Sequence, residues 1–173
     1  FAMLEEDHYT AHPPGTMEKL IEAWLATGVP PHIHAIGDLG NRILLDIYER
    51  VLKQHDMVNS DHRWRVIHAQ VLREEDFRRF GELKLVAEVN PYHVSDDMRW
   101  MEERIGARAR WAYAFKTFHD AGVPLLFGSD WPGTNASWYT ASPMTILYAA
   151  TTRQTLDGKP SGGWFPEQRL DLE

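Results

Sequence analysis

The sequence predicts an α/β fold in which about four βα units lay down a parallel sheet, and three observations carry that expectation. Short apolar runs alternate with segments of helical periodicity along most of the chain. Each strand and its helix occupy about thirty residues, the length that a crossover between parallel strands requires. Three side chains able to bind a metal, His34, His68 and Asp130, each close such an apolar run, in PHIHAIGD, RWRVIHAQ and PLLFGSDWP. The carboxyl ends of parallel strands are where α/β barrels and doubly wound sheets place their chemistry.

The elements follow in order. Met17, Leu20, Ile21, Trp24 and Leu25 have helical spacing, with Thr16 as a cap and Gly28 as a stop. Residues 29–36 form a short apolar run opened by Pro30 and Pro31, which a strand tolerates at its start, and Gly37-Asp38 turns the chain. The pairs Ile43/Leu44, Ile47/Tyr48 and Val51/Leu52 then predict a long amphipathic helix ending near His55, capped by Asp38. The alternation repeats as a strand over 64–69, a helix over 74–80 and a strand over 83–89. Residues 90–106 read as irregular. Trp111, Phe115 and Phe118 mark a further helix, residues 123–129 a further strand, and Ser142-Pro143 a cap with proline at the first helical position.

Composition bounds the function. A chain of 173 residues that is 43% hydrophobic and 12% aromatic can bury one core. A net charge of -7, with eighteen Lys and Arg spread along the chain, argues against a nucleic-acid partner. The absence of cysteine excludes disulfides, thiolate ligands and thiol nucleophiles. No apolar run approaches the roughly 20 residues that span a bilayer, and the acidic start FAMLEEDHYT is unlike a signal region. A cytoplasmic protein without a membrane partner is expected. The start at Phe1 and the end on EQRLDLE, without stop signals, suggest that residues 1–173 are the carboxyl-terminal part of a longer chain whose amino-terminal half is missing.

Two imidazoles and a carboxylate suit zinc or another divalent first-row metal, and a carboxylate beside the metal can double as a proton acceptor. A lone His34 would more often be a hydrogen-bonded rim residue, and a lone Asp130 is as often a cap. Their recurrence at successive strand ends favours the site. His32 shares a strand face with His34 by the two-residue period, but lies further from the loops and is the weaker candidate. His68, between apolar neighbours, needs a partner to offset its desolvation. His93, after the intervening strand, is expected to contact substrate, with Trp131, Trp138 and Tyr92 as pocket aromatics. Asp96 and Asp97 read as solvated loop charges, and Glu74, Glu75 and Asp76 as first-turn acids that suit the helix dipole. Gly158, Gly162 and Gly163 form no phosphate-binding fingerprint.

The segments HAIGD, RVIHAQ, LLFGSDWP and TRQTLDGKPSGGWFPEQRL resemble the carboxyl-terminal half of an amidohydrolase-superfamily barrel, nearest the YtcJ-like group that includes N-substituted formamide deformylases. The resemblance runs from about Pro31 onward. It implies a partial (β/α)8 TIM barrel, resembling strands 5 to 8, with a divalent metal. His34 then resembles the fifth-strand ligand, His68 the sixth-strand ligand, Asp130 the eighth-strand catalytic aspartate, and His93 a seventh-strand position near substrate. The first-strand His-x-His and a fourth-strand residue of the family would lie upstream, and most of the small β-sandwich of family members is absent.

The function so implied is hydrolysis of a non-peptide amide or related carbon–nitrogen bond in a small molecule, with metal-activated water and Asp130 as general base. This piece alone is expected to be inactive, and to dimerise or to rely on the missing half-barrel. A catalytically silent half-barrel acting through association is the alternative. A non-haem iron enzyme is disfavoured, because its facial triads usually sit on jelly rolls.

Overall fold

The computed structural model describes residues 15–132 and 141–171. Its helices are α1 (Thr16–Leu25), α2 (Asp38–Gln54), α3 (Glu74–Glu82), α4 (Val94–Asp97), α5 (Met101–Ile105), α6 (Phe115–Asp120) and α7 (Pro143–Thr152). The strands are β1 (His32–Ala35), β2 (Arg65–His68), β3 (Val86–Val89) and β4 (Leu125–Phe127). They form one parallel sheet in the order β1-β2-β3-β4. Each strand lies beside its sequence neighbour with no reversal of order, which is how a barrel winds and unlike the switch point of a doubly wound sheet.

Register divides the side chains between two faces. His34 pairs with Ile67, Ile67 with Glu88, and Glu88 with Leu126, so these residues share one face. Val66 pairs with Ala87 and Ala87 with Leu125 on the other. That second face is covered by helices: Val66, Ala87 and Val89 are buried with Leu44, Leu45, Tyr48, Phe77, Phe80, Phe115 and Phe118 in one core. The rings of Phe77 and Phe80 both pack edge-on against Phe118. On the first face, which would be the inside of a closed barrel, His32, His34 and Leu126 of the described residues are exposed, Leu126 at 39%.

Local chemistry explains most boundaries. The prolines before β1 leave the strand to begin at His32, and Gly28 ends the first helical segment in the left-handed conformation. Ser142 occupies the N-cap position of α7 with Pro143 at its first turn. Two expected caps are displaced by one residue. Gly15, not Thr16, takes the N-cap position of α1, and Gly37 that of α2. Asp38 instead starts α2 and pairs with Arg108 at 2.9 Å. The stretch expected to be irregular, 90–106, contains α4, α5 and a three-residue-per-turn helix over Pro91–His93; a second such helix over Gly106–Trp111 follows and takes Trp111, expected in the next α-helix, out of α6. The apolar residues of 90–106 are too widely scattered for a periodic signal, and Val94 and Met101 reach the core through tertiary packing.

Among the described residues no helix is long and apolar enough to cross a membrane.

Candidate metal centre

The exits of the four strands bring the chemistry-bearing residues together. The turn after β1 is held by Asn41 in α2, whose buried amide nitrogen lies 3.0–3.2 Å from the carbonyl oxygens of Ala35, Ile36, Gly37 and Val71. One side chain thereby fixes the exits of both β1 and β2, as the backbone acceptors there need a donor once buried. At the other end of the sheet the Asn90 amide donates to the Gly128 carbonyl at 3.1 Å, and the Gly128 amide donates to Val89 at 2.9 Å. A Cβ at Gly128 would lie 3.3 Å from the Asn90 nitrogen, so glycine lets the exits of β3 and β4 close.

His68 sits opposite Ala35 in the register, so simple alternation would turn it toward the helices. It does not go there. His68 and Ala69 both have left-handed backbones, with φ of 71° and 43°, and the imidazole lies beside His34, with ring centroids 4.5 Å apart and planes at 75°. On its other side it stacks on His93 at 6.1 Å. Asp130 is also left-handed, with φ of 57°. Such conformations cost about 1–3 kcal/mol each for residues other than glycine, and surrounding structure must hold them.

His68, His93 and Asp130 offer ligand atoms that all lie within 4.8 Å of one another. His93 Nε2 stands 3.9 Å from Asp130 Oδ2, beyond hydrogen-bonding distance. Two ligands about 2.1 Å from one ion lie at most about 4 Å apart, so the trio is slightly open around a position that a metal fits. Two further observations favour that fit. Burial is the main influence lowering the pKa of His68 and of His93, with Asp130 opposing it in both, which keeps the imidazoles in the neutral form that binds metals. Nδ1 of His68 is buried without a hydrogen bond of good geometry, although the Asn90 side chain nearby slightly favours the protonated ring.

The structure thus groups two of the residues expected as ligands, His68 and Asp130, with His93, which was expected near substrate. His34 stands against His68 just outside that trio. His32 lies on the same open face and is exposed; its pKa is lowered first by burial and then by Arg65, which pairs with Glu88 at 3.2 Å. Trp131, next to Asp130, is 61% exposed, and Tyr92 is half-buried. Trp138 lies outside the described residues.

Asp96 is exposed as expected, but Asp97 is not a solvated loop charge. It accepts hydrogen bonds of 2.6 Å from Gln70 Nε2 and from the Tyr113 hydroxyl. Burial raises its pKa, and the Tyr113 bond is the main influence pulling it down. Asp76, expected only to suit the helix dipole, is buried and paired with Arg42 at 3.1 Å and Arg79 at 3.3 Å. Sequence reasoning missed Asn41, Gln70, Asn90 and Asp97. Gln70 and Asn90, polar residues directly after apolar strands, gave a usable signal; Asp97 gave none, because its partners lie far along the chain.

A parallel sheet whose strand exits converge on two imidazoles and a carboxylate defines an α/β protein of the metal-dependent barrel class. Comparison with known proteins makes this specific: the model of the amidohydrolase family matches residues 1–173, and the chain belongs to that family. It is 32% identical over 148 residues to Protein LONG AFTER FAR-RED 3 of Arabidopsis thaliana, covering 84% of this chain and 24% of that protein. It is 34% identical over 122 residues to YtcJ of Bacillus subtilis, a protein named for the amidohydrolases, covering 70% of this chain and 22% of that one. A solved structure of an uncharacterized metal-dependent hydrolase from Pyrococcus horikoshii superposes with a TM-score of 0.72 at 28% identity, over 90% of this chain and 29% of that chain. A second, from Pyrococcus furiosus, gives 0.70 at 26% identity, over 90% and 28%. The chain therefore spans about a quarter of the length of the proteins it matches.

Proposed function

We propose that this chain contributes part of the metal centre of a hydrolase that cleaves a non-peptide amide or related carbon–nitrogen bond in a small molecule. The observation that carries the reading is the convergence of His68, His93 and Asp130 at the exits of three adjacent parallel strands, with His34 against His68. Zinc suits this nitrogen-rich donor set. When bound, such an ion supplies Lewis acidity toward a water and a carbonyl oxygen.

The remaining work falls to the chain's own residues. Asp130, one-third exposed at the rim, can accept a proton from the attacking water at one carboxylate oxygen and return it to the departing nitrogen. His68 and His93, whose pKa values burial lowers, would each offer a ring nitrogen of the neutral imidazole to the ion. Trp131, exposed next to Asp130, would cover a substrate's apolar part. The open sheet face supports a protein in which further barrel strands, or a second copy of this chain, complete the enclosure.

The test is hydrolysis of a panel of N-formyl and N-acyl amines by the intact protein, stripped of metal and then reconstituted with zinc. Turnover restored by the metal supports the reading. No turnover with any carbon–nitrogen substrate, alongside metal-dependent cleavage of esters or phosphoesters, would overturn the bond assignment. Absence of metal binding would overturn the site.

A further inference from the structure

Two residues after His68, Gln70 enters a buried polar network that the proposed reaction does not use. Asp97 in α4 takes both of its hydrogen bonds, from Gln70 Nε2 and from the Tyr113 hydroxyl, on the same carboxylate oxygen. The Tyr113 amide donates to the Gln70 carbonyl at 2.7 Å, so Gln70 is gripped by side chain and backbone together. Tyr113 is fixed in turn: its carbonyl accepts a 2.7 Å bond from the fully buried guanidinium of Arg153, which also donates to the Trp164 carbonyl at 2.6 Å. Gln70 follows His68 by two residues, and His68 and the intervening Ala69 hold the left-handed backbone that brings the imidazole to the cluster. Released from that grip, the exit of β2 would relax toward extended geometry, and the strand alternation would carry His68 toward the helices.

We infer that Asp97 is a positioning residue for His68: acting through Gln70, it locks the left-handed exit of β2 and keeps the imidazole facing the cluster. This rests on the reading of His68 as a metal ligand, and the experiment separates the two. Cobalt(II) serves as the probe in the intact protein, read by chelator competition for affinity and by visible absorption for ligand geometry. Because both bonds land on one oxygen, the amide oxygen of asparagine can reproduce them. Asp97→Asn is therefore expected to stay within about threefold of wild type. Asp97→Leu keeps the branched shape but removes the oxygen that accepts both bonds, and is expected to weaken cobalt binding about 10- to 100-fold, the range for lost partners of metal ligands, and to change the absorption. Gln70→Met, which removes the Gln70 amide and leaves the Asp97 carboxylate in place, should move both readouts in the same direction and decides the matter if Asp97→Leu does not fold. Asp76→Asn, a change at a buried carboxylate remote from the cluster, should lower the melting temperature and leave cobalt untouched. Wild-type cobalt signals in Gln70→Met, or in a folded Asp97→Leu protein, would overturn the inference alone. Cobalt binding left at the wild-type level by His68→Ala would overturn the ligand reading and the inference with it.

Discussion

His62 and His68 flank the same strand, are buried to the same degree at 7% and 6% exposure, and both have pKa values lowered chiefly by burial. Their surroundings differ. His62, before β2, uses both ring nitrogens: Nε2 lies 2.9 Å from the Leu83 carbonyl, and Nδ1 accepts from the Trp64 amide at 3.0 Å. That pair of bonds fixes one neutral tautomer and ties the entrances of β2 and β3 together. His68, after β2, leaves Nδ1 without a well-formed bond and faces two other imidazoles and a carboxylate. Burial and a depressed pKa are thus common to both histidines. What sets His68 apart, and grounds the proposal that it binds a metal, is its place beside two imidazoles and a carboxylate at the carboxyl end of the sheet.

The largest effect that would sharpen this contrast lies beside His68. Asp130→Asn in the intact protein, with metal content matched, should lower kcat by about 10² to 10⁴, the usual cost of losing a general base. Near wild-type turnover would remove Asp130 from proton transfer. Next in size, His68→Ala should reduce zinc content at least as much as His34→Ala, while His62→Ala should leave it unchanged in folded protein. Elemental analysis that finds His62 as important as His68 would break the comparison.

The fold was legible because its signals are local. The prolines before His32, the paired apolar residues of α2 and Ser142-Pro143 fix elements by spacing and turn chemistry alone, and the apolar runs ending at His34, His68 and Asp130 place those residues at strand exits. The face each side chain takes was not legible. His68 and Asp130 reach the cluster through left-handed backbones that neither residue type demands, so tertiary bonds set them. His93 joins the trio because a short helical turn follows β3, in a stretch whose sequence shows no period. Asp97 acquires its role from Gln70 and Tyr113, contacts that no window of neighbouring residues contains.

Two smaller effects belong to His62. Its replacement by leucine should cost about 1–3 kcal/mol of unfolding free energy in denaturant titration, since the Leu83 carbonyl and Trp64 amide lose their partner in a buried site. A stability equal to wild type would show those bonds to be dispensable. The smallest effect is in pH. A histidine whose folded pKa is depressed binds fewer protons when folded, so its contribution is intact above the unfolded value, about 6.5, and declines as pH falls below it toward the folded value. Metal-free His62→Gln protein should therefore lose less stability between pH 7 and 5 than wild type. An identical slope in the two proteins would show that His62 does not titrate in that range.

The most direct measurement is a crystal structure of the intact protein reconstituted with zinc, with anomalous scattering collected at the zinc edge. The account predicts a peak at the exits of β2, β3 and β4, within about 2.0–2.2 Å of a His68 nitrogen and an Asp130 oxygen, with His93 or His34 completing the contacts from this chain. A peak elsewhere, with His68 and Asp130 more than hydrogen-bond distance from any ion, would contradict it.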